Sequence, residues 1–321
     1  MRKIVIGIPV YNGANYLTAA IEGILHQTYG DFELVISDNA STDDTEEICR
    51  DHARRDDRIR YVRQPRNLGA AANHNALVRM TDSEYFKWAA HDDMIAPGFL
   101  AACVEVLDRE PSVVLASPAS MLIDEGGTPL QYSPERGGMI DRADVCWPVL
   151  PEGNDGLTAA DPVVRFTAVM LKMVMCVEIF GLMRRSALLR TSLQGPFSGA
   201  DKVLLAEMSL LGQFWLGSAT LFSRRCHSQQ FSASSSGAYR AWWFSGRSDS
   251  IFTQQMKLLI AYLRALGTTG LSLQQRYDCL CAIANRATSR GQHWKRLTGA
   301  LVGNRDPLKA YSGPPPGIEQ V

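Results

Sequence analysis

Residues 85–97 read Tyr-Phe-Lys-Trp-Ala-Ala-His-Asp-Asp-Met-Ile-Ala-Pro, a strand-like aromatic run that leads directly into two adjacent carboxylates, Asp92 and Asp93. Acid side chains at a strand end suit a hard divalent cation, because Mg2+ and Mn2+ prefer oxygen ligands and share their shell with water and substrate phosphates. The stretch therefore predicts a Mg2+ or Mn2+ site. The alternative is a solvated turn that caps the helix expected after Pro97.

The first 120 residues alternate short apolar runs with helix-like segments. The apolar runs occupy residues 4–8, 32–36, 59–62, 85–88 and 113–116. Continuous apolar runs are typical of strands buried on both faces, so we predict an α/β fold with a mainly parallel sheet flanked by helices. In such a sheet, ligands bind beyond the carboxyl ends of the strands.

Polar residues follow each of the first four predicted strands. They are Pro9 to Asn12, Ser37 to Asn39, Arg63 to Asn67, and His91 to Asp93. Each group alone is explained by a turn, a helix start or a solvated loop. Because the carboxyl ends of parallel strands meet at one edge of a sheet, the four groups together predict one binding crevice.

Residues 3–118 resemble the family 2 glycosyltransferases, which are nucleotide-sugar enzymes of the GT-A fold. The resemblance is carried by Ile8-Pro9-Val10-Tyr11-Asn12, Gln27 to Leu34, Asp38-Asn39-Ala40-Ser41-Thr42-Asp43, Asn67-Leu68-Gly69 and the acid pair. A weaker resemblance continues at residues 180–185 and 199–207. It implies a GT-A domain that transfers a sugar, with inversion, from a nucleotide-diphosphate donor to a hydroxyl of a saccharide or glycoconjugate acceptor.

The resemblance also implies which residues bind the donor. These residues are Pro9, Tyr11, Asp38, Asn39, Asn67 and Asp92. Asn39 departs from the family pattern, in which a second acid is common at this place, but its amide carbonyl can still accept a ring N–H of the base. Asp93, alone or with Asp92, would hold the cation that stabilises the leaving diphosphate.

The expected catalytic base is Asp201, because the family has an acid at this place that takes the proton of the acceptor hydroxyl. Apolar residues follow Asp201 with helical spacing, so a helix N-cap is the alternative. If the base lies elsewhere, Glu178 and Glu207 are the next candidates. His227 would complete the metal shell or contact the diphosphate, as in related GT-A enzymes; a hydrogen-bonded structural histidine is the alternative.

Near His227, Arg224 and Arg225 suit a diphosphate as bidentate donors. We expect three parts in the chain: a catalytic domain at 1–225, a basic helical extension at 226–311 and a flexible tail at 312–321. Helices are predicted at 251–266 and 273–287. The segment 169–183 is predicted to be a buried helix, and 120–165 to be extended loops over the acceptor side.

The net charge of zero conceals an asymmetry along the chain. From residue 221 onward there are 13 Lys and Arg against 4 Asp and Glu, whereas the first 220 residues carry 20 against 29. This basic end also contains Trp242-Trp243-Phe244 and Trp294-Lys295-Arg296, so it suits a peripheral contact with an anionic membrane. Packing on the core or forming a homodimer face, with solvated charges outside, is the alternative, and we prefer it on the sequence. Nucleic acid is disfavoured because no base-recognition motif accompanies the charge.

Composition excludes several other classes of protein. The seven cysteines are scattered and lack a Cys-x-x-Cys pair, which argues against a disulfide framework or a zinc site and favours the cytoplasm. No apolar run is long enough to span a membrane. Two rival functions remain: a catalytically silent nucleotide-sugar-binding protein, and a nucleotidyltransferase. The latter is disfavoured because a glycine-rich, basic phosphate-binding loop is absent near the first strand.

Overall fold

The structure is a computed structural model that describes residues 2–148, 156–173, 175–227 and 251–289. The strands in these residues are β1 (Ile4–Val10), β2 (Phe32–Asp38), β3 (Ile59–Arg63), β4 (Tyr85–Trp88), β5 (Met94–Ile95), β6 (Val113–Ile123), β7 (Gln131–Ser133), β8 (Gly138–Ile140), β9 (Cys146–Pro148), β10 (Leu182–Arg184) and β11 (Gln213–Arg225). Eight of them form one sheet in the order β3-β2-β1-β4-β10-β6-β11-β5. The remaining three form a second sheet in the order β7-β8-β9.

The helices in the same residues are α1 (Leu17–Leu25), α2 (Thr45–Arg55), α3 (Ala70–Arg79), α4 (Phe99–Arg109), α5 (Pro162–Thr167), α6 (Arg185–Leu188), α7 (Ala200–Leu211), α8 (Ile251–Thr268) and α9 (Leu273–Ser289). They cover both faces of the large sheet. Ile4, Ile6 and Ile8 of β1 lie in one apolar cluster and Val5 lies in the other, so this strand is buried on both sides. The predicted α/β architecture is confirmed.

The five strands predicted from apolar runs are confirmed as β1, β2, β3, β4 and β6. The first four pair in parallel, with Ile4 opposite both Phe32 and Tyr85, and Leu34 opposite Ile59. Parallel pairing sends all four carboxyl ends to the same edge of the sheet. The predicted convergence of polar strand ends therefore follows from the topology.

The predicted helix at 169–183 is wrong. The chain forms a π-helical turn at Ala168–Lys172, a 3-10 turn at Val177–Phe180 and the strand β10, which pairs antiparallel with β4 and β6. A side-chain carbon at Gly181 would lie 2.7 Å from the carbonyl oxygen of Ala116, so the turn meets the sheet too closely for any residue but glycine. An apolar run does not by itself distinguish one buried helix from several short elements.

The expectation of loops at 120–165 is also wrong in part, because β7, β8 and β9 form an antiparallel sheet between residues 131 and 148. Strands of three residues are too short to show a period of two in the sequence. Near the other end of the chain, α8 and α9 confirm the two helices predicted there. The segments at 242–244 and 294–296 and the tail at 312–321 lie outside the described residues, and the domain boundaries stay predictions.

Candidate functional site

The loops after β1 and β2 bind each other at the carboxyl edge of the sheet. The amide of Asn12 donates to Ser41 Oγ at 2.9 Å, and Asn12 Oδ1 accepts from the amide of Thr42 at 2.8 Å. Asn12 has a φ of 53°, in the left-handed region that asparagine tolerates better than most residues. The crevice floor is thus a fixed network of loops, and Pro9 and Tyr11 lie half-buried beside it.

Asp38 lies behind this network and is not exposed at all. Its Oδ2 accepts from Tyr61 Oη at 2.7 Å and from an Arg63 guanidinium nitrogen at 2.8 Å, while Oδ1 accepts from the amide of Ser41 at 2.8 Å. The carboxylate is thus held by three donors and shielded from solvent. In this structure Asp38 supports the loop after β2, and its direct contact with the base stays a prediction.

Asn39 is also buried and satisfied. Its Nδ2 donates to Asn67 Oδ1 at 2.8 Å, and its Oδ1 accepts from the amide of Leu68 at 2.8 Å. The carbonyl expected to bind a ring N–H thus already accepts one hydrogen bond and has one lone pair left, so that contact of Asn39 stays a prediction. The first bond also accounts for the amide at this position, because an aspartate could not donate to Asn67. Asn67 itself is exposed and remains available to a ligand.

The two carboxylates of the acid pair face different surroundings. Asp92 Oδ2 lies 3.0 Å from His227 Nε2, whereas Asp93 is 8% exposed and its Oδ1 accepts from the backbone amide of Arg225 at 2.9 Å. Residues 92 to 95 alternate between partly exposed and buried, as an extended segment does. The structure thus joins His227 to Asp92 and not to Asp93.

The two carboxyl groups have different pKa values because their surroundings differ. Burial, together with the negative charge of Asp92, raises the pKa of Asp93 to about 7. Burial acts in the same direction on Asp92, but the hydrogen bond with His227 and the nearby His91 outweigh it and lower the pKa of Asp92. Asp93 therefore keeps its proton to a higher pH than Asp92, which is the first of the pair to become negatively charged.

The Asp92 and His227 side chains fit a divalent cation. Two ligands at right angles, each about 2.1 Å from a metal, lie roughly 3.0 Å apart, which matches their Oδ2 to Nε2 distance. His227 Nδ1 is buried and has no hydrogen-bond partner in the described residues. Within those residues no group of three or more metal-ligating side chains occurs. The described residues thus offer two side chains that could hold a cation sharing its shell with phosphates.

Arg225 organises this site, which the sequence did not reveal. Its Nε donates to the carbonyl oxygen of Asp92 at 2.8 Å and one terminal nitrogen donates to that of Glu125 at 2.7 Å. Its guanidinium lies 4.8 Å from the centre of the Tyr16 ring, which in turn lies 4.9 Å from the His227 ring. The prediction that Arg225 binds a diphosphate is wrong, because its Nε and the same terminal nitrogen are engaged by backbone carbonyl oxygens. It holds the backbone of the acid pair instead.

Lys87 lies in the core just before the acid pair. It is fully buried, its Nζ lies 4.5 Å from the centre of the Phe99 ring, and it donates a hydrogen bond to the carbonyl oxygen of Phe180. Burial lowers the pKa of Lys87 to about 8. This lysine ties the strand that carries the acid pair to the 3-10 turn on the neighbouring segment.

Asp201 lies in the first turn of α7. The residue that caps this helix is Gly199, with a φ of 87°, so Asp201 is not the N-cap. Burial raises the pKa of Asp201, and its carboxylate accepts from the amide of Lys202 at 2.8 Å and contacts the Cys176 thiol. Its contacts in the described residues do not include the acid pair, so its role as base stays a prediction.

The two other candidate bases are both buried. Glu207 Oε2 accepts from the amide and the hydroxyl of Ser192, at 2.8 and 2.9 Å. Both bonds hold the loop that leads to α7. This arrangement assigns Glu207 a structural role and leaves Glu178 as the second choice after Asp201.

The arrangement defines a class of protein: an α/β domain with polar loops and an Asp–His pair at the carboxyl ends of parallel strands. Residues 5–161 match the family model described as glycosyl transferase family 2. An uncharacterized glycosyltransferase of Rickettsia felis is 35% identical over 130 residues, 39% of this chain and 21% of that protein. Chondroitin synthase of Escherichia coli is 31% identical over 120 residues, 37% of this chain and 17% of that protein.

Solved structures agree on the fold. S. aureus TarS 1-349 in complex with UDP matches 94% of this chain and 75% of its own with a TM-score of 0.62 at 13% identity. The mannosyltransferase PcManGT of Pyrobaculum calidifontis, in complex with GDP-Man and Mn2+, matches 95% of this chain and 76% of its own with a TM-score of 0.57 at 15% identity. Residues 5–161 belong to the family 2 glycosyltransferases, and the sheet and flanking helices of the chain have the GT-A architecture.

Proposed function

We propose that this protein transfers a sugar from a nucleotide-diphosphate donor to a hydroxyl of a saccharide or glycoconjugate, with inversion at the anomeric carbon. The observation that carries the proposal is the Asp92–His227 pair, 3.0 Å apart, at the edge where four parallel strands end. A donor bound across this edge would place its diphosphate beside the pair. Synthesis of a cell-surface polysaccharide or glycolipid fits such a reaction.

Asp92 and His227 are our choice for the residues that face a divalent cation. Asp92 keeps its negative charge because its pKa is lowered, whereas Asp93 is buried and bound to the Arg225 amide. When bound, a cation would stabilise negative charge on the departing diphosphate. A histidine ligand suits a transition metal better than Mg2+, so we favour Mn2+.

Asp201 is the proposed general base. Removing the proton of the acceptor hydroxyl requires a carboxylate, and burial raises the pKa of Asp201, which makes it a stronger base than an exposed aspartate. The proton would pass from the hydroxyl to a carboxylate oxygen while the acceptor oxygen attacks the anomeric carbon. No enzymic nucleophile is needed for a single displacement.

Asp38 and Asn39 are buried and hydrogen-bonded within the protein, so they do not define which nucleobase the donor carries. TarS has been crystallised with UDP-GlcNAc and PcManGT with GDP-Man, so members of this fold bind both uracil and guanine nucleotides. Pro9, Tyr11 and Asn67 remain the side chains available to contact the base in our proposal. All seven cysteines are free thiols, in keeping with the reducing cytoplasm that we propose as the site of reaction.

Calorimetric titration with UDP, dTDP, GDP and CDP, each with and without Mn2+, tests this function. We expect one nucleotide to bind in a metal-dependent way and its sugar derivative to be turned over with an acceptor. Metal-dependent binding without turnover would favour a silent nucleotide-sugar-binding protein. The absence of metal-dependent binding to all four nucleotides would refute the proposed donor site.

Two isosteric variants separate the carboxylates. Asp92→Asn is expected to abolish metal-dependent binding, whereas Asp93→Asn should retain it, because only Asp92 contacts His227. The opposite pattern would restore the assignment of the cation to Asp93. Glu105→Gln, an exposed acid on α4, serves as the matched control.

A further inference from the structure

The two C-terminal helices expose an apolar surface that the proposed reaction does not use. In the described part of the chain, seven of the thirteen exposed large apolar side chains belong to α8 and α9. These seven, which we call the C-terminal apolar surface, are Met256, Leu259, Ile260, Leu263, Leu273, Tyr277 and Leu280. The first four are spaced so that they share one face of α8, and the last three share one face of α9.

The opposite face of α8 is already buried. Tyr262, Ala265 and Leu266 lie in the same apolar cluster as the residues of α7. An ordinary surface helix is polar on the side away from the core, but α8 is apolar on both sides, and such helices are found between two apolar environments. The exposed side of α8 therefore needs a second apolar partner.

The charge of these helices indicates what that partner is. Between residues 251 and 289 the chain has Lys257, Arg264, Arg276 and Arg286 but a single acid, Asp278. Lys257 and Arg264 are seven residues apart and follow the same flank of the exposed α8 face. A two-fold dimer would bring this cationic surface against its own copy, whereas anionic lipid headgroups complement it.

We propose that the C-terminal apolar surface docks the protein on an anionic membrane, with α8 and α9 lying in the plane of the interface. In the described residues, no helix is long and apolar enough to cross a bilayer, which agrees with an in-plane position. Apolar side chains would enter the headgroup region while Lys257 and Arg264 meet lipid phosphates. The proposal does not depend on the donor or on the transfer reaction.

Flotation of the full chain with phosphatidylcholine vesicles, with and without phosphatidylglycerol, tests the docking. We expect binding to the anionic vesicles that weakens with added salt. The double variant Leu259→Gln/Leu263→Gln should lower the partition coefficient about tenfold or more, since it removes two apolar side chains from the bilayer. Arg264→Gln should lower it about fivefold on anionic vesicles only. The control Leu189→Gln/Val145→Gln changes two exposed apolar side chains elsewhere and should bind normally.

Equal or absent binding to both kinds of vesicle would overturn the proposal. So would a dimer in analytical ultracentrifugation that Leu259→Gln/Leu263→Gln dissociates, since the surface would then be a contact between two copies. Nucleotide binding by the same variants, measured by calorimetry, shows that they are folded. It also separates the outcomes, because loss of vesicle binding with intact nucleotide binding leaves the proposed function untouched.

Discussion

Replacing Arg225 with lysine should destabilise the backbone that carries the proposed cation site. The guanidinium donates to the carbonyl oxygens of Asp92 at 2.8 Å, Glu125 at 2.7 Å and Asp124 at 3.1 Å. A lysine ammonium is a compact donor on a flexible stem and cannot reach all three acceptors at once. Losing two bonds from a charged donor, each contributing about 1.5 kcal/mol, lowers the free energy of unfolding by about 3 kcal/mol.

The same change should weaken cation binding, because the Asp92 backbone loses the donor that fixes it. Loss of an outer partner of a metal ligand typically reduces affinity by about tenfold or more. Urea unfolding measures the first effect, and Mn2+ titration followed by electron paramagnetic resonance measures the second. Arg190→Lys, at an exposed arginine, is the control. Wild-type stability together with wild-type Mn2+ affinity in Arg225→Lys would refute this reasoning, and reduced stability with unchanged affinity would limit Arg225 to the fold.

Three further outcomes are expected. If Asp201 is the base, the transfer rate falls as pH drops through its raised pKa, so the acid limb of the pH profile lies above the ordinary aspartate range. Asp201→Asn then abolishes transfer but leaves donor binding intact. Asp38→Asn should lower the free energy of unfolding in urea by about 3 kcal/mol, because it breaks the ion pair of a buried carboxylate with Arg63. The control Glu33→Gln breaks a partly exposed pair and should lower it by under about 1 kcal/mol. Because the pKa of Lys87 is lowered to about 8, the unfolded chain binds more protons than the folded protein between pH 8 and 10.5. The free energy of unfolding of the wild type should therefore rise by roughly 3 kcal/mol across that window, relative to Lys87→Met. Urea unfolding at several pH values measures this difference.

The start of the parallel sheet is predictable because β1 and β2 are nearly continuous apolar runs. Val5 faces one cluster while Ile4 and Ile6 face the other, and only a strand covered on both sides requires apolar residues at every position. Short elements gave no such signal. β10 has three residues and fills the gap between β4 and β6, a long-range pairing that local periodicity does not encode.

The site was predictable in its location but not in the role of each side chain. Motif resemblance placed Asp38 and Asn39 at the strand end, yet burial and hydrogen bonding depend on Arg63, Tyr61 and Asn67, which come from other elements. The sequence around Arg225 shows only charge, and it therefore predicts a ligand-binding residue. Its burial follows from the antiparallel pairing of β11 with β5, which places Arg225 beside Asp92.

The acid pair shows why adjacent carboxylates rarely serve one cation in an extended segment. Successive side chains there point to opposite sides, so if one acid faces the crevice the other faces the core. Ile95 lies in an apolar cluster and Asp93 is buried like it, whereas Asp92 and Met94 are partly exposed, so we place Asp92 on the crevice side. The buried acid keeps its proton more readily, since its pKa is raised to about 7, and Asp92 beside His227 ionises first. Asp93 fixes the returning strand through the Arg225 amide, so in our proposal Asp92 binds the cation and Asp93 holds its site.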